Sequence, residues 1–421
     1  MSTLEVLTDQ LHAKALLPGW RWSVLSDLLV CMESGSRPKG GAVGINGGVP
    51  SISAEHMTPH ATFDFSVLRY VPREYYENMP RGHIRRGDIL IVKDGATTGK
   101  TCFVDDGFPF EEAVVNEHVF ICRADARQML PELLFFWLWG PQGQYRIRAS
   151  YQGAAIGGIN QSFAATLQVP VPPSHQQDEM LRRLRGAFSR ISVARNAHTQ
   201  RVEASAALAC AWHREVFGRL HQASVPQELL GRIVEFLTAK SLASDGDTTV
   251  RAVTTACLSE VGFLSEGIKE GRMRSEDVAP CTIRSGEILI ARSNTPELVG
   301  RVSLYRGDPS PIVATDLTIR MRCLSGAAPE YVTAYLSSLY QNGYWREVAG
   351  GASGSMKKIT RAHLQRLLIP LPDTPEQMAL AESLHNRVVT TREIQGRVAD
   401  EGEAIAALPS AVIRRAFKGV E

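Results

Sequence analysis

Apolar positions along the chain alternate between two regimes. From about Pro18 to Pro172 the runs are short and strand-like: Val67-Leu68-Arg69-Tyr70-Val71, Asp88-Ile89-Leu90-Ile91-Val92 and Glu117-His118-Val119-Phe120-Ile121-Cys122, set apart by Gly, Pro and Asp turns. Leu133 to Leu138, behind Pro131, reads as a buried helix. From Gln176 to Phe217 the pattern changes. Leu181, Leu184, Phe188, Ile191, Val202, Ala209, Trp212 and Val216 follow the three-four spacing of a coiled coil, in a helix of about 40 residues and roughly 60 Å. The strand-like regime returns from about Val225 to Pro372. A second long helix then carries Leu380, Leu384, Val388, Ile394, Val398, Ile405 and Leu408, until Pro409 breaks or kinks it. Before all this, Leu4, Leu7, Leu11 and Ala15 stand at helical spacing behind Ser2 and Thr3, which predicts a short amphipathic arm.

The two halves are copies of each other. Pro131 matches Pro329, Ile159 matches Ile359, Pro170 and Pro172 match Pro370 and Pro372, Gln177 matches Gln377, and Phe217 matches Phe417, all about 200 residues apart. Ile84-Arg85-Arg86-Gly87-Asp88-Ile89-Leu90-Ile91 likewise answers Ile283-Arg284-Ser285-Gly286-Glu287-Ile288-Leu289-Ile290. A repeat this long is a duplicated domain rather than a solenoid unit. The proline-rich stretches Val169 to Pro173 and Ile369 to Pro372 cannot continue a helix or sit in a central strand, so each is a stiff boundary. The expected organisation is α+β: an arm (1–17), a first domain (18–172), a spacer helix (173–221), a second domain (222–372) and a second spacer helix (373–421). Two copies with divergent faces suit a protein that touches two related but non-identical things.

Each long helix has one apolar seam, so each is the natural partner of the other, antiparallel, in a pseudo-twofold arrangement. Arg195, His198, Ser205 and Gln395 interrupt the seams. Polar residues there cost stability and fix register, unless they face solvent where the helices diverge.

Composition narrows the class. With 421 residues, 44% of them hydrophobic, the chain has enough apolar material for two or three cores. No apolar run reaches the roughly 18 residues that a membrane span needs, and the first residues lack signal-peptide character, so the expected location is the cytoplasm with no membrane partner. The seven cysteines are scattered, with no C-x-x-C pair, and are expected to be reduced and packed. A net charge of +2 excludes a polycation that coats nucleic acid by charge alone. Yet 37 of the 46 basic residues are Arg, whose planar fork suits phosphate and guanine edges; a high-GC genome would produce the same bias.

The order of these pieces resembles the specificity subunit of type I restriction-modification systems, over essentially the whole chain. The resemblance rests on Trp22-Ser23-Val24-Leu25-Ser26-Asp27-Leu28 opening the first domain, then Ser34-Gly35-Ser36-Arg37-Pro38 and Val49-Pro50-Ser51-Ile52-Ser53. It continues with Gly87 to Ile91 and the Gly95/Gly99 loop, a Gly-rich loop leading to Ile159, Leu371-Pro372 to Glu376-Gln377, and Ala416-Phe417-Lys418-Gly419. The first junction departs from the pattern in lacking Glu before Gln177, and the second domain opens with Leu229-Leu230-Gly231-Arg232-Ile233, without the tryptophan. The resemblance implies recognition without catalysis. Each domain would read one half of a split double-stranded DNA target, and the helices would set the spacing between the halves. They would also dock two adenine-N6 methyltransferase subunits, with or without a restriction endonuclease subunit. S-adenosylmethionine, ATP and Mg would then belong to those partners, and this chain would hold no cofactor.

Catalytic motifs are missing. Gly95-Ala96-Thr97-Thr98-Gly99-Lys100-Thr101 has one residue too few between its glycines for a phosphate-binding loop. No Asn-Pro-Pro-aromatic, H-E-x-x-H or Gly-x-Ser-x-Gly motif occurs. Glu111/Glu112 and Asp105/Asp106 sit in turn-like sequence, and His118 has no motif partner. DNA contacts are better sought on loops. In the first domain the candidates are Arg37, Lys39, Lys93, Thr97, Lys100, Arg146, Arg148 and Asn160. In the second they are Lys240, Arg251, Arg272, Arg274, Arg292, Asn294, Ser355, Lys357 and Lys358. Arg, Lys and Asn pair with base edges, although most such contacts go to phosphate. Gly153, Gly157, Gly350, Gly351 and Gly354 would admit close backbone approach. A second reading keeps the repeat and the helices but makes the domains protein-binding faces of a scaffold. A third, a hydrolase, would require ATP turnover.

Overall fold

The structure is a computed structural model and describes residues 16–39, 45, 47–151, 157–223, 225–350 and 356–418. The chain forms two compact units. The first comprises Met1–Asn196 with Glu403–Glu421, the second Ala197–Gly402. The division between the units falls inside the two long helices. The helices are Ser174–Gln222, 49 residues, and Thr374–Ala416, 43 residues. Each lends one end to each unit's core. The second continues past Pro409 and ends only at Ala416, so of the break or kink expected there the break does not occur. Residues 1–15 of the predicted arm lie outside the described residues.

Each unit is built on a four-stranded antiparallel sheet of the same order. In the first unit the strands run Leu29–Ser34, Val119–Ala124, Asp88–Val92, Thr101–Phe103; in the second, Val234–Leu237, Thr318–Cys323, Glu287–Ala291, Val302–Tyr305. The third strand of each order, Asp88–Val92 or Glu287–Ala291 and called the interior strand below, is buried at all five positions, which explains its unbroken apolar run. Its alternate residues serve different cores. Ile89 and Ile91 join the helix Pro131–Trp139 and Leu181 and Leu184 of the first long helix, while Leu90 and Val92 join Ile52, Met57 and Phe108. Ile288 and Ile290 repeat the first role with the helix Pro329–Gln341, Leu289 and Ala291 the second. Gly87 and Gly286, with φ of 86° and 84°, turn the chain into this strand in a left-handed conformation that other residues adopt only at a cost.

Gln177 and Gln377 do one job twice. Each is buried at the start of a long helix and accepts the N–H of the residue before the Pro131 or Pro329 helix, at 2.8 Å in both units. Each then donates to Pro172 or Pro372 O, at 3.0 and 2.8 Å. Pro170 and Pro370 stand in two-stranded sheets, Arg21–Val24 with Gln168–Val171 and Gln227–Leu229 with Leu368–Pro370, and Pro172 and Pro372 follow them. Beneath each sheet a carboxylate is fully buried. Asp88 meets Arg123, whereas Glu287 meets both Arg320 and Arg322.

Inside the second unit the long helices run antiparallel: His198 lies against Gly402, Arg201 pairs with Glu401 at 2.6 Å, Gln395 donates to Ser205 O at 3.2 Å, and Arg387 reaches Glu215 at 3.2 Å and the Trp212 ring at 4.6 Å. Ser205 is buried and a Cβ at position 402 would strike the His198 imidazole, so these seam interruptions face the partner helix. Val202, Ile394 and Leu408 do not belong to the seam: all three are exposed. Of the predicted strand at Val67–Val71 only Tyr70–Val71 forms, and Pro72 and the helix Arg73–Asn78 end it there.

Candidate nucleic-acid interface

At the exit of the interior strand both units place a basic residue in the same backbone frame. Lys93 donates its N–H to His118 O at 2.9 Å and accepts Ile159 N–H at 2.7 Å. Arg292 donates to Leu317 O at 2.9 Å and accepts Ile359 N–H at 2.8 Å. The late loops containing Ile159 and Ile359 are therefore pinned to the ends of these strands. Both basic side chains are half-buried. The Lys93 ammonium lies 5.6 Å from the Phe120 ring centre, and Arg292 reaches Asp316 O at 3.5 Å. Neither belongs to a side-chain ion pair among the described residues.

The turn that follows in the first unit is tightly wound. Thr98 donates its N–H and its hydroxyl to Gly95 O, and Gly99 N–H returns to Val92 O at 2.8 Å. Lys100 points inward from it: its ammonium donates to Met57 O at 2.8 Å and Ala54 O at 3.4 Å. Its counterpart Arg301 donates to Leu258 O at 3.3 Å and faces the Tyr340 ring. Both residues clamp a short 3-10 segment to the sheet, Ala54–His56 or Thr255–Cys257. Lys100 is thus a positioning residue. Asn160 is drawn into local bonding too, since its Oδ1 accepts the Ser162 N–H at 2.9 Å at the start of Phe163–Thr166. Arg146 lies 5.3 Å from the Trp22 ring centre, and burial pulls its guanidinium below the usual arginine range.

Thr97, Lys100 and Arg148 come together in a cleft of about 820 Å³, beside Tyr145, Trp139 and Arg195. Arg148 is exposed. Arg148 beside the exposed Tyr145 ring offers both charge and stacking surface. Arg37 is tied to Glu117 at 2.5 Å, while Lys39 is exposed and makes no ion pair among the described residues. His118, which showed no partner in the sequence, has two. Its Nδ1 meets Asp94 at 2.6 Å and its Nε2 meets Glu117 at 3.4 Å. This acidic pair stands next to Lys93 and was not legible from motif spacing.

The second unit offers a different surface on the same frame. Strands Thr248–Ala252 and Lys269–Met273 form a two-stranded ribbon, with Arg251 opposite Glu270 and Arg272 opposite Thr249. Those four residues share one face, so Arg251 and Arg272 are diagonal neighbours, both exposed, while Val250, Ala252 and Met273 pack into a core. Two adjoining grooves, about 440 and 460 Å³, share Ala239 and Asp316. Lys240 and Arg274 line one, paired with Asp277 and Asp245; Arg292 and Arg361 line the other. Arg361 was missed by the sequence reading, although it follows Lys357, Lys358, Ile359 and Thr360 directly. Asn294 is held by Thr255 Oγ1 at 3.1 Å. Lys357 and Lys358 ladder onto Asn294 and Ser293, with Lys358 exposed. Ser355, Gly153, Gly351 and Gly354 lie outside the described residues.

Among the described residues no cluster of His, Cys, Asp or Glu is arranged to hold a metal ion, and no helix is long and apolar enough to cross a membrane. No family model matches the chain. A curated relative, the putative type I restriction enzyme MjaX specificity subunit of Methanocaldococcus jannaschii, is 26% identical over 159 residues. That match spans 38% of this chain and 37% of the relative, just over a third of each. A solved chain from work on complex assembly and conformational transition of the type I R-M system superposes over 97% of this chain and 100% of its own length, with TM-score 0.73 and 16% identity. The HsdS subunit of Thermoanaerobacter tengcongensis covers 97% of this chain and 99% of its own length, with TM-score 0.62 and 15% identity.

Proposed function

We propose that this chain, which has the fold of type I restriction-modification specificity subunits, is the DNA-reading subunit of such a complex and recognises a split target, one half per unit. The observation that carries the reading is the duplicated strand exit. One backbone frame presents Lys93 in the first unit and Arg292 in the second, surrounded by surfaces that share almost nothing else. Reuse of a frame with divergent surroundings suits two half-sites of different sequence, as paired modules elsewhere match paired half-sites. Arg292, with its planar fork, suits a guanine edge or a phosphate, and Lys93 acts as a point charge. The exposed Arg251/Arg272 ribbon in the second unit and the Arg148 cleft in the first supply further contacts.

The chain contributes recognition only. The adenine-N6 methyltransferase subunits, and endonuclease subunits where present, bring S-adenosylmethionine, ATP and Mg to the assembly. A methyltransferase that flips its target base needs a partner holding the duplex around it, and that is the task assigned to this chain. The test uses the chain assembled with its methyltransferase subunits and a duplex carrying the selected target. Lys93→Ala should weaken discrimination at one half-site only, and Arg292→Ala at the other, each by about 1–3 kcal/mol where the side chain reaches a base. Loss at both halves from either substitution would argue for the scaffold reading, in which the units hold proteins.

A further inference from the structure

The two units differ most sharply where the Pro131 and Pro329 helices meet the sheet and the long helices. In the first unit that space is filled by rings. Phe103 stacks on Phe135 at 5.4 Å, Phe135 on Trp139 at 5.8 Å, and Trp139 and Phe136 close on Phe188 at 5.4 and 4.9 Å. The repeat assigns each ring a counterpart. Trp137 against Phe417 and Tyr335 against Phe217 fix the alignment of the helices, and strand register equates Phe103 with Leu304. Phe135, Phe136, Trp139 and Phe188 then correspond to Thr333, Ala334, Ser337 and Val388. All four, with Leu304, line a cavity of about 340 Å³ in the second unit. The five truncated side chains thus border open space where the first unit has stacked aromatics. Val261 and Met378, both exposed, also line it, so it opens to solvent.

One further exchange makes this cavity chemically specific. The first unit closes the corner with Ile413, packed on Gly140; the same helix position in the second unit is His213. His213 is 3% exposed, lines the cavity, and its Nδ1 has no hydrogen-bond partner among the described residues. A buried polar atom without a partner is costly and uncommon. Burial holds the imidazole at a pKa of about 4, so near neutral pH it is uncharged, with one nitrogen donating and one accepting. The acidic residues Glu260 and Glu330 at the cavity are already matched by Arg392 and Arg306, at 3.6 and 3.9 Å. Glu382 and His385, both exposed, also line the cavity, and the Ser303 and Thr333 hydroxyls there donate to backbone carbonyls, so His213 is the one fully buried imidazole among mainly apolar walls.

We infer that this cavity is a binding site for a small planar heteroaromatic molecule, whose ring fills the space occupied by stacked aromatics in the first unit and whose nitrogen meets His213. The volume fits: an apolar cavity of roughly 150 Å³ holds a benzene, and this one is about 340 Å³, enough for a two-ring ligand. The site is separate from the strand exits assigned to DNA, so it stands whether or not that assignment does.

The probe is benzimidazole, titrated into the full chain and followed by ligand-observed NMR, with indene as the same shape without nitrogen. Benzimidazole should bind about tenfold more tightly than indene, the size of one satisfied buried hydrogen bond. His213→Ile, which installs the residue of the first unit, should erase that preference while leaving indene binding in place. Ser337→Trp should abolish binding of both by restoring the missing ring, and Ala334→Phe serves the same purpose should the first variant not fold. Absence of benzimidazole binding at millimolar concentration would overturn the assignment. So would binding that survives both filling substitutions, since the molecule would then sit elsewhere.

Discussion

The first unit seals its core with five aromatic rings, whereas the second, on the same sheet order and the same glutamine latch, leaves that space open and buries an unpartnered histidine beside it. The frame and its filling have thus diverged independently. The frame is shared by the two copies because its parts are backbone bonds. Gln177 and Gln377 saturate one N–H and two carbonyls each at the helix start, and Lys93 and Arg292 are held by paired main-chain groups. The filling tolerates change because apolar volume can be traded piece by piece.

The buried carboxylates give the largest test of the comparison. Glu287 neutralises Arg320, whose side chain is 4% exposed, while Asp88 faces Arg123, 20% exposed. Removing Glu287 strands a buried guanidinium that water cannot reach. Glu287→Ala should destabilise the second unit by about 3–5 kcal/mol, and Asp88→Ala should cost the first unit less. Hydrogen exchange resolved by unit measures both, and an equal loss would show that solvent access does not separate the two sites.

Acid should act on one unit through His213. Its pKa of about 4 in the folded protein lies below the ordinary value of 6.5, so the unfolded chain binds the proton more readily. The contribution is fully present above pH 6.5 and is lost as pH falls toward 4, to a total of about 3 kcal/mol. His213→Ile should flatten this part of the pH dependence of the second unit's stability, and Ile413 predicts no such dependence at the matching place in the first. A wild-type stability profile without the His213 contribution would mean that the imidazole is solvated.

Exchanging the packing sharpens the contrast further. Phe188→Val opens in the first unit the space that Val388 leaves in the second, and should cost about 1–3 kcal/mol. Val388→Phe should cost less or stabilise, because room is already present. Smallest are the surface charges. Alanine at Lys357 and Lys358 should leave stability unchanged, weaken DNA binding evenly across sequences, and lower the salt slope by about one for each phosphate no longer neutralised. An unchanged slope would remove both lysines from the interface.

Much of the frame was legible in the sequence because duplication supplies its own control. Gly87 with Gly286, Gln177 with Gln377 and Ile159 with Ile359 each stand out at one offset, and each proves to hold backbone in place. The long helices were legible from their three-four spacing. Their seam was less so: Val202, Ile394 and Leu408 match the period yet face outward, whereas Ser205 and His198 face inward, where Gln395 donates to the Ser205 carbonyl and Gly402 leaves room for the imidazole. Residue type found the basic candidates but not their uses. Lys100 is turned inward onto carbonyls, Asn160 is spent on a local turn, and His118 gained two acidic partners through the fold. The cavity was illegible, since a void is written in residues that are smaller than their counterparts, and their packing emerges only when the helices are placed against the sheet.

The most direct measurement co-expresses this chain with its methyltransferase partner in a host lacking adenine methylation and maps N6-methyladenine across the genome. Two units reading different half-sites predict a motif of two unlike parts separated by a fixed gap. A single contiguous motif, or no methylation while the same methyltransferase works with another specificity subunit, would contradict the account.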